Sequence, residues 1–216
     1  MKWPAVVIDN FFNNFKDVEK FADSLKYTHS GDGRWPGYRS EPIHKINYDF
    51  FSFTCTKMLQ ALYPMNYRSI FYNARMFFQT IPFEGSGFIH QDDNEISSII
   101  YIRGGKAGGT SLYEPKQYPF DRHSYVPHKE KFFGKAGKIE DVKNYKKHLK
   151  QHNSQFKLKL KVNFKPNRLF MFDCNEFHEA DSFGGDRLTL VTFFESIRMD
   201  DYTTLRSHVT EAKKWG

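Results

Sequence analysis

The sequence predicts a mainly β fold of the α+β type, a sandwich or jelly roll preceded by helices, and three observations predict it. Two amphipathic helical segments come before residue 65. After Pro64 the chain breaks into short apolar runs divided by Gly, Pro, Asn and Asp. One of these runs, Phe156 to Phe164, alternates strictly between apolar and polar residues. Many short strands with turn-rich connections, and no regular strand–helix alternation, argue against a parallel α/β sheet.

In chain order, residues 5–8 (Ala-Val-Val-Ile) predict a short strand. Asn13 and Asn14 are candidate caps for a helix whose apolar side carries Phe15, Val18, Phe21, Ala22 and Leu25. His29 to Pro42 contains Gly31, Gly33, Pro36 and Gly37 and predicts a loop. A second helix is expected from Asn47 to Leu62. Strands then follow at Ile70 to Thr80, Phe88 to Asp92, Ile96 to Arg103, Thr110 to Tyr113, Phe156 to Phe164, Arg168 to Phe172 and Arg187 to Phe194. Between the fourth and fifth, Ile139, Val142, Tyr145 and Leu149 recur at helical spacing and predict a helix over Lys138 to His152. The run from Phe156 should bury Phe156, Leu158, Leu160, Val162 and Phe164 and turn Lys157, Lys159 and Lys161 to water, as in an antiparallel sheet with one wet face.

A length of 216 residues fits one domain able to enclose a core without disulfides. Its expected parts are N-terminal helical support over 1–65, a jelly-roll core over 66–197 with an insertion at about 116–155, and a C-terminal tail over 198–216. Hydrophobic residues at 39% and charged residues at 26% exclude wholesale disorder. Aromatic residues at 18%, with 23 Phe, predict a core and a pocket walled by flat side chains. Cys55 and Cys174 are too few for a secreted disulfide scaffold, and Asp9 and Asn10 cut short any apolar leader, so a reducing cytoplasm is the expected location. The apolar runs are strand-sized, so no membrane span is expected.

The net charge of +7 is concentrated. Residues 116–165 hold fourteen basic side chains against four acidic ones, a local excess of +10 that leaves −3 for the rest. Such a segment is either a solvated face or a docking surface for an anionic partner, nucleic acid included, and the interleaved Tyr118, Phe120, Tyr125, Phe132, Phe133 and Tyr145 keep the second reading open.

The chemistry-bearing residues lie elsewhere. In the segment from Gly85 to Asp93, His90 and Asp92 are two apart and share a strand face, while Asp93 points the other way. His178 follows Asp92 by 86 residues, just past the apolar run ending at Phe172. Two His and one carboxylate form the facial set that holds non-haem Fe(II) with positions left open. After the turn at Gly184, Gly185 and Asp186, a strand opening at Arg187 and returning beside that of His178 would bring its guanidinium near the metal, with Thr189 on the same face. Arg75 is a candidate clamp for a substrate carboxylate, and Gln79 shares its strand. Cys174 reads as a small buried hydrophobe. His123, His128, His148 and His152 match no tight zinc spacing and read as surface. No nucleophile elbow, P-loop or dinucleotide fingerprint is present, which removes hydrolase and nucleotide-binding readings.

In this ordered set the sequence resembles the Fe(II)/2-oxoglutarate-dependent dioxygenase superfamily, most closely its prolyl-hydroxylase-like branch. The resemblance spans about residues 70–197. It rests on His90-Gln91-Asp92, the strand Ser97 to Ile102 with Tyr101, the turn Gly108-Gly109-Thr110, the turn and strand Lys165 to Phe172, His178 and Arg187. It implies a double-stranded β-helix (jelly roll, cupin-like) with N-terminal supporting helices and a helical insertion. It also implies iron held by His90, Asp92 and His178, and the distal carboxylate of 2-oxoglutarate held by Arg187 with help from Tyr101 and Thr189. Fe(II), 2-oxoglutarate and O2, with ascorbate as an optional addition, would be the cofactor set, and the activity would be hydroxylation of a peptide side chain or small molecule. Where related enzymes often offer a tyrosine to the cosubstrate, this chain has Phe77, Phe78 and Gln79. The competing reading is a non-catalytic jelly-roll binding module working through its basic insertion.

Overall fold

The computed structural model describes residues 5–29, 37–63, 70–82, 84–105, 108–117 and 142–199. The turn-rich residues 30–36, residues 118–141 of the insertion and most of the expected tail lie outside that set.

Most of the predicted elements form, and their order positions the site. Strand β1 (Ala5–Ile8) is followed by α1 (Phe15–Asp23), β2 (Tyr38–Arg39), α2 (Ile43–Ile46) and α3 (Tyr48–Leu62). Asn47 caps α3, its Oδ1 accepting from the Phe50 amide at 3.0 Å, so one orphan donor of the first turn is satisfied. Next come β3 (Ile70–Thr80), β4 (Ile96–Arg103) and β5 (Thr110–Pro115), then α4 (Val142–Asn153), β6 (Phe156–Val162), β7 (Arg168–Asp173), β8 (Phe177–Ala180) and β9 (Leu188–Met199).

The strands make two antiparallel sheets. The larger runs β1-β7-β4-β9-β3-β2 and the smaller β6-β5-β8. Isolated bridges, Gly85 to Phe183 and His90 to His178, lay residues 85–90 along β8 as a fourth, irregular member of the smaller sheet. The outer face of the larger sheet (Ala74, Met76, Phe78, Ile100, Ile102, Leu190, Phe194) packs on Val18, Ala22, Phe51, Cys55, Met58 and Leu59 of the helices. The Val, Leu, Ile, Phe and Met side chains among these each contribute about 1.5–3 kcal/mol when fully buried, which is why these short elements hold. The alternate residues face inward, where Tyr101, Phe170 and Phe172 of the larger sheet meet Leu112 and Val162 of the smaller. The functional side chains project into this inner space.

Several expectations need correction. The loop from His29 contains β2, stitched to β3 with Tyr38 opposite Thr80 and Arg39 opposite Gln79. Phe88 to Asp92 makes a single bridge where a strand was expected. Strand β9 lies between β4 and β3 in the larger sheet, across the sandwich from β8 rather than beside it, because Leu188 to Phe194 pairs with both. The alternation of β6 fails to predict burial: Leu158 is 52% and Leu160 38% exposed, while Phe156 and Val162 are buried. The register slips between Leu112 and Tyr113, leaving Lys159 unpaired, and such a bulge breaks the period of two.

The basic helix is anchored. Tyr145 is buried against Phe88, and its hydroxyl donates to the Ser86 carbonyl. Asn153 accepts from the Ile89 amide at 3.1 Å and donates to Gly87 O at 3.2 Å. His152, expected at the surface, is 7% exposed with Nε2 2.7 Å from Ile89 O, because α4 lies on the segment that leads into His90. Lys143, Lys146, Lys147 and Lys150 are exposed on the opposite side of α4.

Candidate functional site

His90, Asp92 and His178 meet with one ligand atom from each within 4.8 Å of the others. Two reciprocal backbone hydrogen bonds, His90 N to His178 O at 3.0 Å and the reverse at 2.8 Å, fix the two histidines side by side with ring centroids 4.4 Å apart. The side chains are oriented as well. Nδ1 of His90 lies 2.7 Å from Phe88 O, and Nδ1 of His178 lies 3.1 Å from Glu176 O. Carbonyls only accept, so each Nδ1 carries the proton and each Nε2 presents a lone pair. Those Nε2 atoms face Asp92, at 3.7 Å from Oδ1 for His90 and 3.4 Å from Oδ2 for His178. Two imidazole lone pairs converging with a carboxylate repel one another until a cation sits between them, so the donor set fits a divalent metal.

Asp92 is held from behind. Ser97 Oγ donates to its Oδ2 at 2.7 Å and lies 3.2 Å from Cys174 Sγ. Burial alone would raise the Asp92 pKa, but His178 and His90 in their protonated forms, with the Ser97 hydroxyl, outweigh it and hold the carboxyl well below the usual range, a part that a cation takes once each Nε2 is a lone pair. Burial pushes the Cys174 thiol up to about 12, so it stays neutral and is no rival ligand. Asp93 is exposed.

Further along the inner face, Gln79, Thr189 and Tyr101 form one row across β3, β9 and β4. Tyr101 is fully buried and donates to Thr110 Oγ1 at 2.9 Å, and burial pushes its pKa up to about 12. Thr189 is 1% exposed. Arg187, one residue before β9 and 5% exposed, has no hydrogen bond or ion pair to its guanidinium among the described residues, and its Nε is buried without a partner. Burial lowers its pKa, with Tyr101 and Asp181 as the opposing influences. A buried guanidinium without a counter-ion fits a carboxylate ligand.

Arg75 is different. It is more than half exposed and ion-paired to Glu195 at 2.6 Å. Sequence reasoning missed Arg39, whose Nε donates to Gln79 Oε1 at 3.0 Å and whose guanidinium carbon lies 5.4 Å from both the Phe77 and Phe193 ring centroids. It also missed Ser97 as the support of Asp92. The position of Ser97 five residues after Asp92 was the available signal; for Arg39 there was none beyond its charge in a glycine-rich stretch.

Two facing antiparallel sheets make a double-stranded β-helix, the fold that solved 2-oxoglutarate/Fe(II) oxygenases also have. Solved structures share the fold. HygX from Streptomyces hygroscopicus, with nickel and 2-oxoglutarate bound, is similar at a TM-score of 0.55 and 10% identity over 89% of this chain and 82% of that one. A 2OG-Fe(II) oxygenase family oxidoreductase from Burkholderia pseudomallei gives 0.54 and 12% over 89% and 85%. EvdO2 from Micromonospora carbonacea var. aurantiaca, complexed with 2-oxoglutarate, gives 0.53 and 10% over 94% and 91%. The chain itself belongs to DUF6445, a family of unknown function whose model matches residues 1–188. No curated protein sequence matches it. Among the described residues no helix is long and apolar enough to cross a membrane.

Proposed function

We propose that this protein is an Fe(II)- and 2-oxoglutarate-dependent oxygenase that hydroxylates a C–H bond of a small molecule or peptide side chain. The observation that carries the reading is the pair of Nε2 lone pairs turned onto Asp92, each fixed by its own Nδ1 contact to a backbone carbonyl. When bound, metal and cosubstrate would supply the O2-dependent oxidation, with 2-oxoglutarate decarboxylated to succinate. His90, Asp92 and His178 hold the metal, and Ser97 keeps one carboxylate oxygen of Asp92 engaged so that the group meets the metal in one orientation. Arg187 takes the distal carboxylate of 2-oxoglutarate as a fork, with Tyr101 and Thr189 lining the same pocket. Gln79 and Arg75 share the inner face of β3 toward the substrate. Phe172, whose ring lies 4.6 Å from that of His178, and buried Leu112 exclude water from the floor of the site.

Anaerobic addition of Fe(II) and 2-oxoglutarate to the protein should produce a weak visible charge-transfer band, and aerobic incubation should release succinate. A folded protein that takes up neither metal nor cosubstrate would remove the oxygenase reading. The exposed Lys143, Lys146, Lys147 and Lys150 support a second role, docking of an anionic partner on the outer surface of α4. Reversing those four charges should then weaken a salt-sensitive association without changing 2-oxoglutarate turnover.

A further inference from the structure

Among the described residues the smaller sheet ends at residues 85–90, and α4 covers that edge. The His90 amide and carbonyl both bond across to His178 on β8. In an antiparallel pair the neighbouring residue turns its own amide and carbonyl the other way, so Ile89 directs both groups off the sheet. A further strand would satisfy them; here two side chains from the last turn of α4 do so instead. Asn153 Oδ1 accepts from the Ile89 amide at 3.1 Å. His152 Nε2 lies 2.7 Å from the Ile89 carbonyl and donates to it, since a carbonyl only accepts.

Asn153 also reaches the strand of the second histidine. Its amide nitrogen carries two protons, and it donates to Gly87 O at 3.2 Å and to Glu179 Oε2 at 2.7 Å. Glu179 follows His178 directly, and its other oxygen accepts from Tyr113 Oη at 2.5 Å. One amide group thus ties the residue before His90 to the residue after His178. Phe88 is held by the same helix: its ring packs edge-to-face on that of Tyr145, centroids 5.4 Å apart, and lies 5.6 Å from that of His152. The Phe88 carbonyl is the group that orients the His90 ring through Nδ1.

A shift of Ile89 therefore moves both the peptide that bridges His90 to His178 and the carbonyl that sets the His90 ring. The apolar contacts of Ile89 belong to a small cluster with Phe156, Phe177 and Tyr113, separate from the core beneath the larger sheet. Loosening the end of α4 can displace the histidines while the main core stays closed.

We propose that His152 and Asn153 are positioning residues of the metal site: they fix the backbone beside His90 and His178, and so hold the two Nε2 lone pairs at the separation and angle that a divalent cation requires. This deepens the oxygenase reading and rests on its metal set. Partners that orient a metal ligand from outside change metal affinity about 10- to 100-fold when they are removed.

The test uses the full-length protein and Co(II), whose visible d–d bands report ligand number and geometry. N153A should bind Co(II) about 10- to 100-fold more weakly than the wild type and with altered bands. H152F keeps a ring against Phe88 and Phe156 but loses the Nε2 donor, and should weaken Co(II) by less, roughly 3- to 10-fold, the worth of one hydrogen bond. H152Q returns an amide donor near the place of Nε2 and should recover most of that loss. N167A is the control, since the Asn167 amide bonds to Phe12 and not to the metal-site segments: it should unfold at lower urea yet bind Co(II) within about 2-fold of the wild type. If N153A and H152F match the wild type in Co(II) affinity and spectrum, the proposal is overturned and the metal assignment stands. If N167A weakens Co(II) as much as N153A does, the effect is general loss of stability and the proposal fails likewise. If N153A does not fold, H152F and H152Q decide, and equal Co(II) affinity in those two overturns the proposal. A folded wild type that binds no Co(II) removes the oxygenase reading itself, and the positioning role with it.

Discussion

Replacing Arg187 by Met should make the metal- and cosubstrate-free protein more stable. Arg187 is 5% exposed, its Nε is buried without a partner, and no counter-ion touches it among the described residues. An arginine cannot shed its proton, so the protein carries the desolvation of a cation, and an orphaned buried donor alone costs about 1–3 kcal/mol. Met retains most of the apolar stem and removes the charge. A gain of about 2 kcal/mol would raise Tm by about 4–8 °C at this chain length. The ligand should reverse the order. At a concentration of 2-oxoglutarate one hundred times its Kd, with Ni(II) present, the wild type gains about 2.7 kcal/mol by mass action and R187M gains nothing. Thermal melts of both proteins, with and without Ni(II) and 2-oxoglutarate, give the four values. If R187M melts below the wild type in the free state, the guanidinium has a partner and the cosubstrate assignment loses its physical basis. If R187M still shifts with 2-oxoglutarate, the carboxylate is held elsewhere.

Three further outcomes are expected. Asp92→Ala should lose bound metal by elemental analysis, while Asp93→Ala, altered at an exposed position, should retain it. Asn167→Ala should cost about 2–4 kcal/mol in urea unfolding, since the amide of this buried residue both accepts from Phe12 N and donates to Phe12 O at 2.8 Å; Asn167→Gly should recover about 1 kcal/mol of that, because the residue sits at φ +60°. Hydrogen bonds from Arg168 and Lys165 hold the Asp9 carboxyl well below its usual range. Its contribution is therefore present above the unfolded pKa, at about pH 4, and lost as the pH falls further, so the difference in unfolding midpoint between wild type and Asp9→Asn should be present at neutral pH and shrink in acid.

What the sequence discloses follows the physics of each residue. His90, Asp92 and His178 are legible because few side chains ligate metal, and because the apolar run of β7 marks where a strand must end just before the distal histidine. Strand β8 is not legible: Phe177 to Ala180 is four residues with His and Glu buried in its middle, stabilised by partners that sequence does not show, such as Tyr113 Oη and Asn153 Nδ2 on Glu179 at 2.5 and 2.7 Å. Burial pushes the Glu179 carboxyl up to about 7, and the hydrogen bonds from Tyr113 and Asn153 oppose that rise. Arg39 escapes for another reason. Its two-residue strand has no periodicity, and its place on the inner face arises only from register with Gln79, a contact forty positions away. The exposed leucines of β6 escape because one bulge changes the period, and a bulge has no signature in alternation alone.

The lysines of β6 have a bearing on solubility that is separate from catalysis. Among the described residues β6 is the rim of the smaller sheet, and Leu158 and Leu160 are exposed on it. A rim of that kind invites another strand to add, from a second copy or from a partly unfolded chain. Lys157, Lys159 and Lys161 alternate with those leucines along the chain, each held in place by an acid, Glu114 at 3.2 Å, Glu176 at 2.7 Å and Asp181 at 3.3 Å. They act as gatekeepers: an approaching strand must bury three ammonium groups before it gains two leucines. Acetylating these three side chains would leave the core untouched and take away that protection, so the modified protein would keep its fold while becoming prone to sheet-edge association.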